Sequence, residues 1–188
     1  MVILGSGLTG LAIAGQLRTS SVDAIIIEEK RAAASGMATR GMGIASVLLL
    51  DSPHRLIAAV GLETAKAILK FSAEGVAAWG DSLDPCGVVY ATKGQQEHDE
   101  VPSNMTALSE LEIRASRWNP STSTGLSPGW YQPDGGTVNL GRECRRMSQG
   151  IPIVLGKRAV AINDDGFDLS VQLSTGTTVR CDMVVMTG

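Results

Sequence analysis

The sequence predicts an α/β fold with a parallel central sheet and a β-rich end. Three observations lead to this. The apolar run Val2-Ile3-Leu4 gives way at once to glycines and a helical pattern. A second continuous apolar run, Ala24-Ile25-Ile26-Ile27, follows the polar break Thr19-Ser20-Ser21. Four further strand candidates crowd the end of the chain. Continuous apolar strands between turn signals suit a sheet covered on both faces, as parallel sheets are.

Taken in order, Met1 to Leu4 reads as a strand, and Leu8 to Leu17 carries apolar residues at helical spacing. Ala24 to Ile27 is a strand closed by Glu28-Glu29-Lys30. Ala32 to Gly43 is rich in Ala, Gly and Ser, with side chains too small to build a core. Pro53 opens a helix to about Val60, capped by Ser52 or Asp51. After Gly61, the residues Leu62, Ala65, Leu69, Val76, Trp79 and Leu83 mark one face of a longer helix.

Gly87 to Thr92 reads as a strand, and the polar stretch Lys93 to Thr106 as an exposed loop. Leu108 to Ala115 suits a short helix, and Asn119 to Gly129, dense in Ser, Thr, Pro and Gly, a loop. Short strands at Trp130-Tyr131 and Thr137-Val138 flank an Asp134-Gly135-Gly136 turn. The segment Gly141 to Met147 leaves room for a stunted helix. The terminal strand candidates are Ile151 to Leu155, Ala159 to Asn163, Phe167 to Leu173 and Val179 to Met186. Asp164-Asp165-Gly166 and Ser174-Thr175-Gly176 punctuate them as hairpin turns.

Composition narrows the function classes. Among 188 residues, 44% are hydrophobic and 19% charged, which suits a globular protein with a core. Aromatics are only 4%, so aliphatic side chains must fill that core. A net charge of −3 gives no electrostatic reason to expect nucleic acid. Cys86, Cys144 and Cys181 form no CxxC and no metal-ligand spacing, so free thiols and no metal site are expected. No apolar run reaches the ~20 residues of a membrane span, and no signal-type segment precedes the first strand. The expected location is the cytoplasm.

The chemistry-bearing motif is Gly5-Ser6-Gly7-Leu8-Thr9-Gly10, a G-x-G-x-x-G run. It follows a strand, opens a helix, and is succeeded about 20 residues on by an acid at the next strand end, as dinucleotide-binding Rossmann-like units require. Gly5 permits the tight turn, Gly7 lets backbone approach a pyrophosphate, and Gly10 lets helix and strand pack closely. Free N–H groups and the dipole at the helix start favour the phosphates. Glu28 or Glu29 is placed to accept hydrogen bonds from the adenosine ribose. Nicotinamide and flavin dinucleotides share this loop, so the motif does not choose between them.

Later segments do. Ala34-Ser35-Gly36-Met37-Ala38-Thr39-Arg40-Gly41-Met42-Gly43 is a second loop of small residues containing an Arg. Tyr131-Gln132-Pro133-Asp134-Gly135-Gly136-Thr137-Val138-Asn139 carries a P-D-G-G-T-V-N turn, and the chain ends on Val184-Val185-Met186-Thr187-Gly188. Together with the helical run from Arg55 to Trp79, these resemble the D-amino-acid oxidase-like family of FAD-dependent oxidoreductases, which includes glycine and sarcosine oxidases. The matches occur in family order over nearly the whole chain.

The resemblance implies a GR2-type FAD-binding domain over residues 1–80 and 139–188, with a β-meander crossover, and part of a substrate domain over 81–138. It implies FAD as cofactor, held by Gly5, Ser6, Gly7, Leu8, Thr9 and Gly10, and by Glu28, Glu29 and Lys30. Thr39, Arg40, Gly41 and Gly43 of the second loop join them, with Arg40 supplying charge near the diphosphate. Ala159 and Val160 would meet adenine through their backbone, and Thr187 and Gly188 close the end of the last strand. The substrate implied is a small amine or amino acid.

The chain departs from the pattern at Leu140, where the family usually has Pro, and in a short stretch from Val138 to Gly150. Family members run to about twice this length, so the chain is expected to lack the half that holds substrate, or to meet it on a partner chain. No residue is singled out as catalytic. There is no nucleophile elbow or H-E-x-x-H, and His54 and His98 read as surface residues. A flavoenzyme needs no such group, since the cofactor carries the redox chemistry. A flavin-binding subunit or remnant without turnover is one alternative. An NAD(P)-dependent dehydrogenase is another, disfavoured by the hairpins after Ile151.

Overall fold

The structure is a computed structural model and describes residues 1–36, 40–49, 52–120, 127–166 and 168–187. The expected cofactor contacts Thr39 and Gly188, the cap candidate Asp51 and the strand start Phe167 lie outside the described residues.

In chain order the first elements are β1 (Val2–Leu4), α1 (Leu8–Thr19), β2 (Ile25–Glu28) and β3 (Ile44–Ala45). Then come α2 (Pro53–Val60), α3 (Leu62–Ala77), β4 (Leu83–Asp84), β5 (Val88–Ala91), α4 (Gln95–Asp99) and α5 (Val101–Glu110). They are followed by β6 (Ser116–Trp118), β7 (Gly129–Gln132), β8 (Gly136–Val138) and α6 (Leu140–Met147). The chain closes with β9 (Ile153–Leu155), β10 (Ala159–Asp164), β11 (Leu169–Leu173), β12 (Thr178–Cys181) and β13 (Val184–Met186). They gather into two compact units, residues 1–42 with 139–188, and residues 43–138.

The first unit is three layers. Its parallel sheet has the order β13-β1-β2-β9, with Val2 opposite both Val184 and Ile25. Side chains alternate across each strand, so neighbouring residues enter different cores. Ile3 and Ile26 pack with Leu11 and Ala14 of α1 and Cys144 of α6. Val2 and Ile27 pack with Val171 and Leu173 of the antiparallel meander β10-β11-β12. This is why both apolar runs are continuous: each strand needs apolar side chains on both faces. Burying an aliphatic side chain of this size is worth roughly 1.5–3 kcal/mol, and Ile3, Leu11 and Ile26 are each fully buried.

Leu140 proves compatible with its place. It stands at the first position of α6, where Pro is favoured but not required, and Asn139 caps the helix by accepting from Arg142 N–H at 2.9 Å. The expected fourth strand candidate divides in two: β12 completes the meander and β13 enters the parallel sheet, with Asp182-Met183 between them.

The second unit holds two small antiparallel sheets, β3-β8-β4 and β5-β7-β6. Its core joins Leu48, Ala65, Leu69, Val101, Leu108, Leu111 and Trp130. Residues 43–80 gather with this unit, so the first compact unit gives way at residue 42, where the sequence reading carries it to 80. Helices α2 and α3 spend their apolar faces in this second core.

Two other readings are corrected here. The expected loop from Lys93 to Thr106 contains α4 and most of α5, because Val101, Asn104, Leu108 and Leu111 recur at helical spacing within a polar stretch. Trp79 and Leu83 lie beyond the end of α3, and Leu83 pairs with Val138 in a strand.

Candidate functional site

The carboxyl ends of β1 and β2 open onto a cleft of about 740 Å³ within the first unit. Its floor is the glycine loop, with Gly5, Gly7, Leu8 and Thr9 lining it. Glu28 at the end of β2 forms a wall with Glu29 and Lys30 just beyond it, and Ala159 and Thr187 approach from the meander and from the end of β13. Clefts at the carboxyl edge of such sheets are where ligands bind.

The three motif glycines have different physical reasons. Gly5 has φ +104°, a backbone region that other residues seldom occupy. A Cβ on Gly10 would lie 2.1 Å from the Gly5 carbonyl oxygen, so α1 packs this close to the turn only with glycine there. Gly7 differs from both. Its φ of −66° is ordinary, and a Cβ on it would meet nothing within 4 Å. Nothing in the described protein demands glycine at this position, which lines the cleft. The helix it caps has no side-chain hydrogen bond at its N-terminus and no acid in its first turn. That end of α1 therefore offers N–H groups and positive dipole to an anion. This donor set, and the clear space above Gly7, fit a dinucleotide diphosphate.

Glu28 is held firmly. Its Oε2 accepts from Ser6 N–H at 2.9 Å and from Ser6 Oγ–H, and its Oε1 accepts from Lys30 N–H at 2.8 Å. Burial pushes its carboxyl up, but the bond from Ser6 Oγ, the two backbone bonds and the Lys30 charge together hold it below the ordinary Glu range. Glu29 is exposed and lines the same cleft. The loop after β9 is fastened to this wall: Gly156 N–H donates to Lys30 O at 2.9 Å and Lys157 N–H to Glu28 O at 3.0 Å.

Ala159 and Val160 begin β10 at an irregularity. The pairing with β11 shifts between Ala159 and Ala161, which leaves Val160 without a partner in that register. A bulge of this kind redirects backbone groups away from the ladder. At the other side, Thr187 N–H and Oγ1 both reach Leu4 O at 3.0 Å, and Oγ1 lies 3.2 Å from Gly5 O.

The remaining expected residues are placed differently. Arg40 and Gly41 are exposed and do not line the cleft. Gly43 belongs to the second unit, where a Cβ would lie 2.2 Å from Val138 O, so it has a packing reason of its own. Lys157 and Arg158 line the cleft and were not singled out from the sequence. Two basic residues before a strand carry no local signal; only the return of β9 and β10 to the sheet edge brings them here.

The histidines are not the solvated surface residues that the sequence suggests. His54 is half-buried, its Nδ1 3.0 Å from Oδ1 of the buried Asn104. His98 is half-buried on α4. In the second unit, Trp130 and Tyr90 stack at 5.5 Å beside a separate cavity of about 240 Å³. The three cysteines are free thiols. No helix among the described residues is long and apolar enough to cross a membrane.

A family model described as FAD dependent oxidoreductase (DAO) matches residues 1–188. The chain belongs to this family. Among curated proteins none matches. Solved structures of similar fold include glycine oxidase from Geobacillus kaustophilus, at 18% identity and a TM-score of 0.74, and glycine oxidase from Bacillus cereus, at 18% and 0.70. The match covers 100% of this chain and 54% of each oxidase. L-α-glycerophosphate oxidase from Mycoplasma pneumoniae, a structure with FAD bound, is 12% identical with a TM-score of 0.69, over 97% of this chain and 52% of that one. The chain thus spans about half the length of the structures it matches. At these identities the likeness is one of fold, and it agrees with the α/β architecture and the parallel sheet described above.

Proposed function

We propose that this chain binds FAD in the cleft of its first unit, and that the whole protein is an oxidoreductase acting on a small amine or amino acid. The observation that carries the reading is Gly7: a glycine without a packing reason, at an uncapped helix end, facing open space. The family membership selects FAD among dinucleotides. The names of the glycine oxidases support an amino-acid substrate.

On this reading the residues divide the cofactor between them. Gly7 and the first N–H groups of α1 meet the diphosphate, and Glu28 accepts from the adenosine ribose. The backbone of Ala159, which lines the cleft, and of Val160 at the bulge beside it meets adenine. Lys157 and Arg158 supply positive charge along the same wall. Bound FAD would supply the redox chemistry, the oxidation of the carbon next to the substrate nitrogen. The further segments of a longer protein, or a partner chain, complete the substrate cavity, orienting substrate and excluding water.

Titration of FAD, NAD⁺ and NADP⁺ into the purified chain tests the cofactor assignment. Saturable binding of FAD in preference to both nicotinamide dinucleotides is expected, and the reverse preference overturns it. Hydrogen peroxide production from a panel of amino acids tests the division of labour. The 188-residue chain is expected to produce none at enzymatic rates.

A further inference from the structure

We propose that Ser6 is a positioning residue for the cofactor's ribose site, acting through the carboxylate of Glu28. The inference rests on the FAD reading above and deepens it. Ser6 occupies a variable position of the glycine motif, where the anion-binding logic asks for no hydroxyl. Yet it is fully buried, with relative exposure of 0%, and does not itself line the cleft. Whatever it contributes to a ligand must pass through its neighbours.

Its hydroxyl both donates and accepts. Oγ–H donates to Glu28 Oε2, and Oγ accepts from Ala34 N–H at 3.0 Å. The Ser6 N–H donates to the same Oε2 at 2.9 Å. Ala34 has φ +55°, a left-handed backbone that a non-glycine residue keeps only when its surroundings impose it. One side chain therefore joins three segments: the glycine loop, the end of β2 and the small-residue loop.

The consequence for Glu28 is one of capacity. An ionised carboxylate offers about four acceptor positions. Ser6 N–H, Ser6 Oγ–H and Lys30 N–H take one each, so among the described residues one remains, on Oε1. Ser6 thereby fixes which oxygen of Glu28 receives a ribose hydroxyl and favours the ionised form of that carboxylate. The other charged groups along this cleft are Glu29, Lys30, Lys157 and Arg158. None of these four is replaced in the test variants, so their influence on Glu28 stays in place.

The test uses the full 188-residue chain with Ser6→Ala. Losing one charge-assisted hydrogen bond is expected to weaken FAD binding about tenfold. The titration of Glu28, followed by carboxyl ¹³C chemical shift without FAD, moves to higher pH. The double variant Ser6→Ala/Glu28→Ala binds FAD no more weakly than Glu28→Ala, because Ser6 acts through Glu28. Should the alanine variant not fold, Ser6→Cys, a weaker donor, gives the same directions at smaller size. An unmoved Glu28 titration, or losses that add in the double variant, overturns the role of Ser6 while leaving the cofactor reading intact. Failure of the unaltered chain to bind FAD overturns both.

Discussion

Thr187 Oγ1 lies 3.0 Å from the carbonyl oxygen of Leu4 and 3.2 Å from that of Gly5, tying the end of β13 to the glycine loop. The single hydrogen of this hydroxyl is shared between two consecutive carbonyls where β1 turns toward α1. Thr187→Val keeps the shape and removes the donor. It is expected to lower stability by about 1 kcal/mol, the net worth of a neutral hydrogen bond. Urea unfolding reads this as a lower midpoint with unchanged slope. An unchanged midpoint would show that the hydroxyl bonds contribute nothing.

The glycine motif makes a paired prediction. Gly10→Ala places a methyl 2.1 Å from Gly5 O and forces α1 away from the turn. A loss of roughly 1–3 kcal/mol is expected, as for overpacked sites. Gly7→Ala adds a methyl that meets no protein atom within 4 Å, so its loss should be smaller than that of Gly10→Ala and limited to the poorer fit of alanine at the helix N-cap. Equal destabilisation by both would mean that Gly7 too is held by packing.

Glu28 supplies a pH prediction. Its carboxyl is held below the ordinary value of 4.5, so its ionised form stabilises the native state. That contribution is complete above the ordinary value and is lost as pH falls through the lowered one. Compared with Glu28→Gln, the unaltered chain should keep its advantage in urea midpoint from about pH 7 down to the ordinary Glu range, then lose it. An advantage already gone by about pH 6 would contradict the assignment.

Glu28 and Glu29 should also differ in FAD affinity. Glu28 is held against the glycine loop, whereas Glu29 is exposed one residue beyond the strand. Glu28→Ala is expected to cost ~1.5–3 kcal/mol of binding free energy, the range for hydrogen bonds to a charged group. Glu29→Ala should cost much less. Isothermal titration of both variants decides it, and a larger loss at Glu29 would move the ribose site.

Much of the first unit was legible because its signals are local. Val2-Ile3-Leu4 and Ile25-Ile26-Ile27 announce strands buried on two faces, and Gly5 to Gly10 announces the turn between strand and helix. The hairpin turns at Asp164-Asp165-Gly166 and Ser174-Thr175-Gly176 fixed the meander. The second unit was less legible. Helix α5 keeps its spacing through only four buried positions, Val101, Asn104, Ala107 and Leu108. Leu83 fits the helical face of α3 by count, but the helix has ended by Gly80, where φ is +51°. Within the site, Gly7 and Glu28 could be named from spacing. The contacts of Ser6 with Glu28 and Ala34, and the presence of Lys157 and Arg158 in the cleft, depend on segments that meet only after folding.

The central claim is that the cleft above Gly7 holds FAD. Its most direct test is the visible absorbance spectrum of the purified chain after incubation with FAD and removal of unbound cofactor, beside that of Gly7→Val. The account predicts oxidised-flavin bands at near-stoichiometric intensity in the unaltered chain and their loss in the folded variant. Equal flavin in both proteins, or none in a folded unaltered chain, would contradict it.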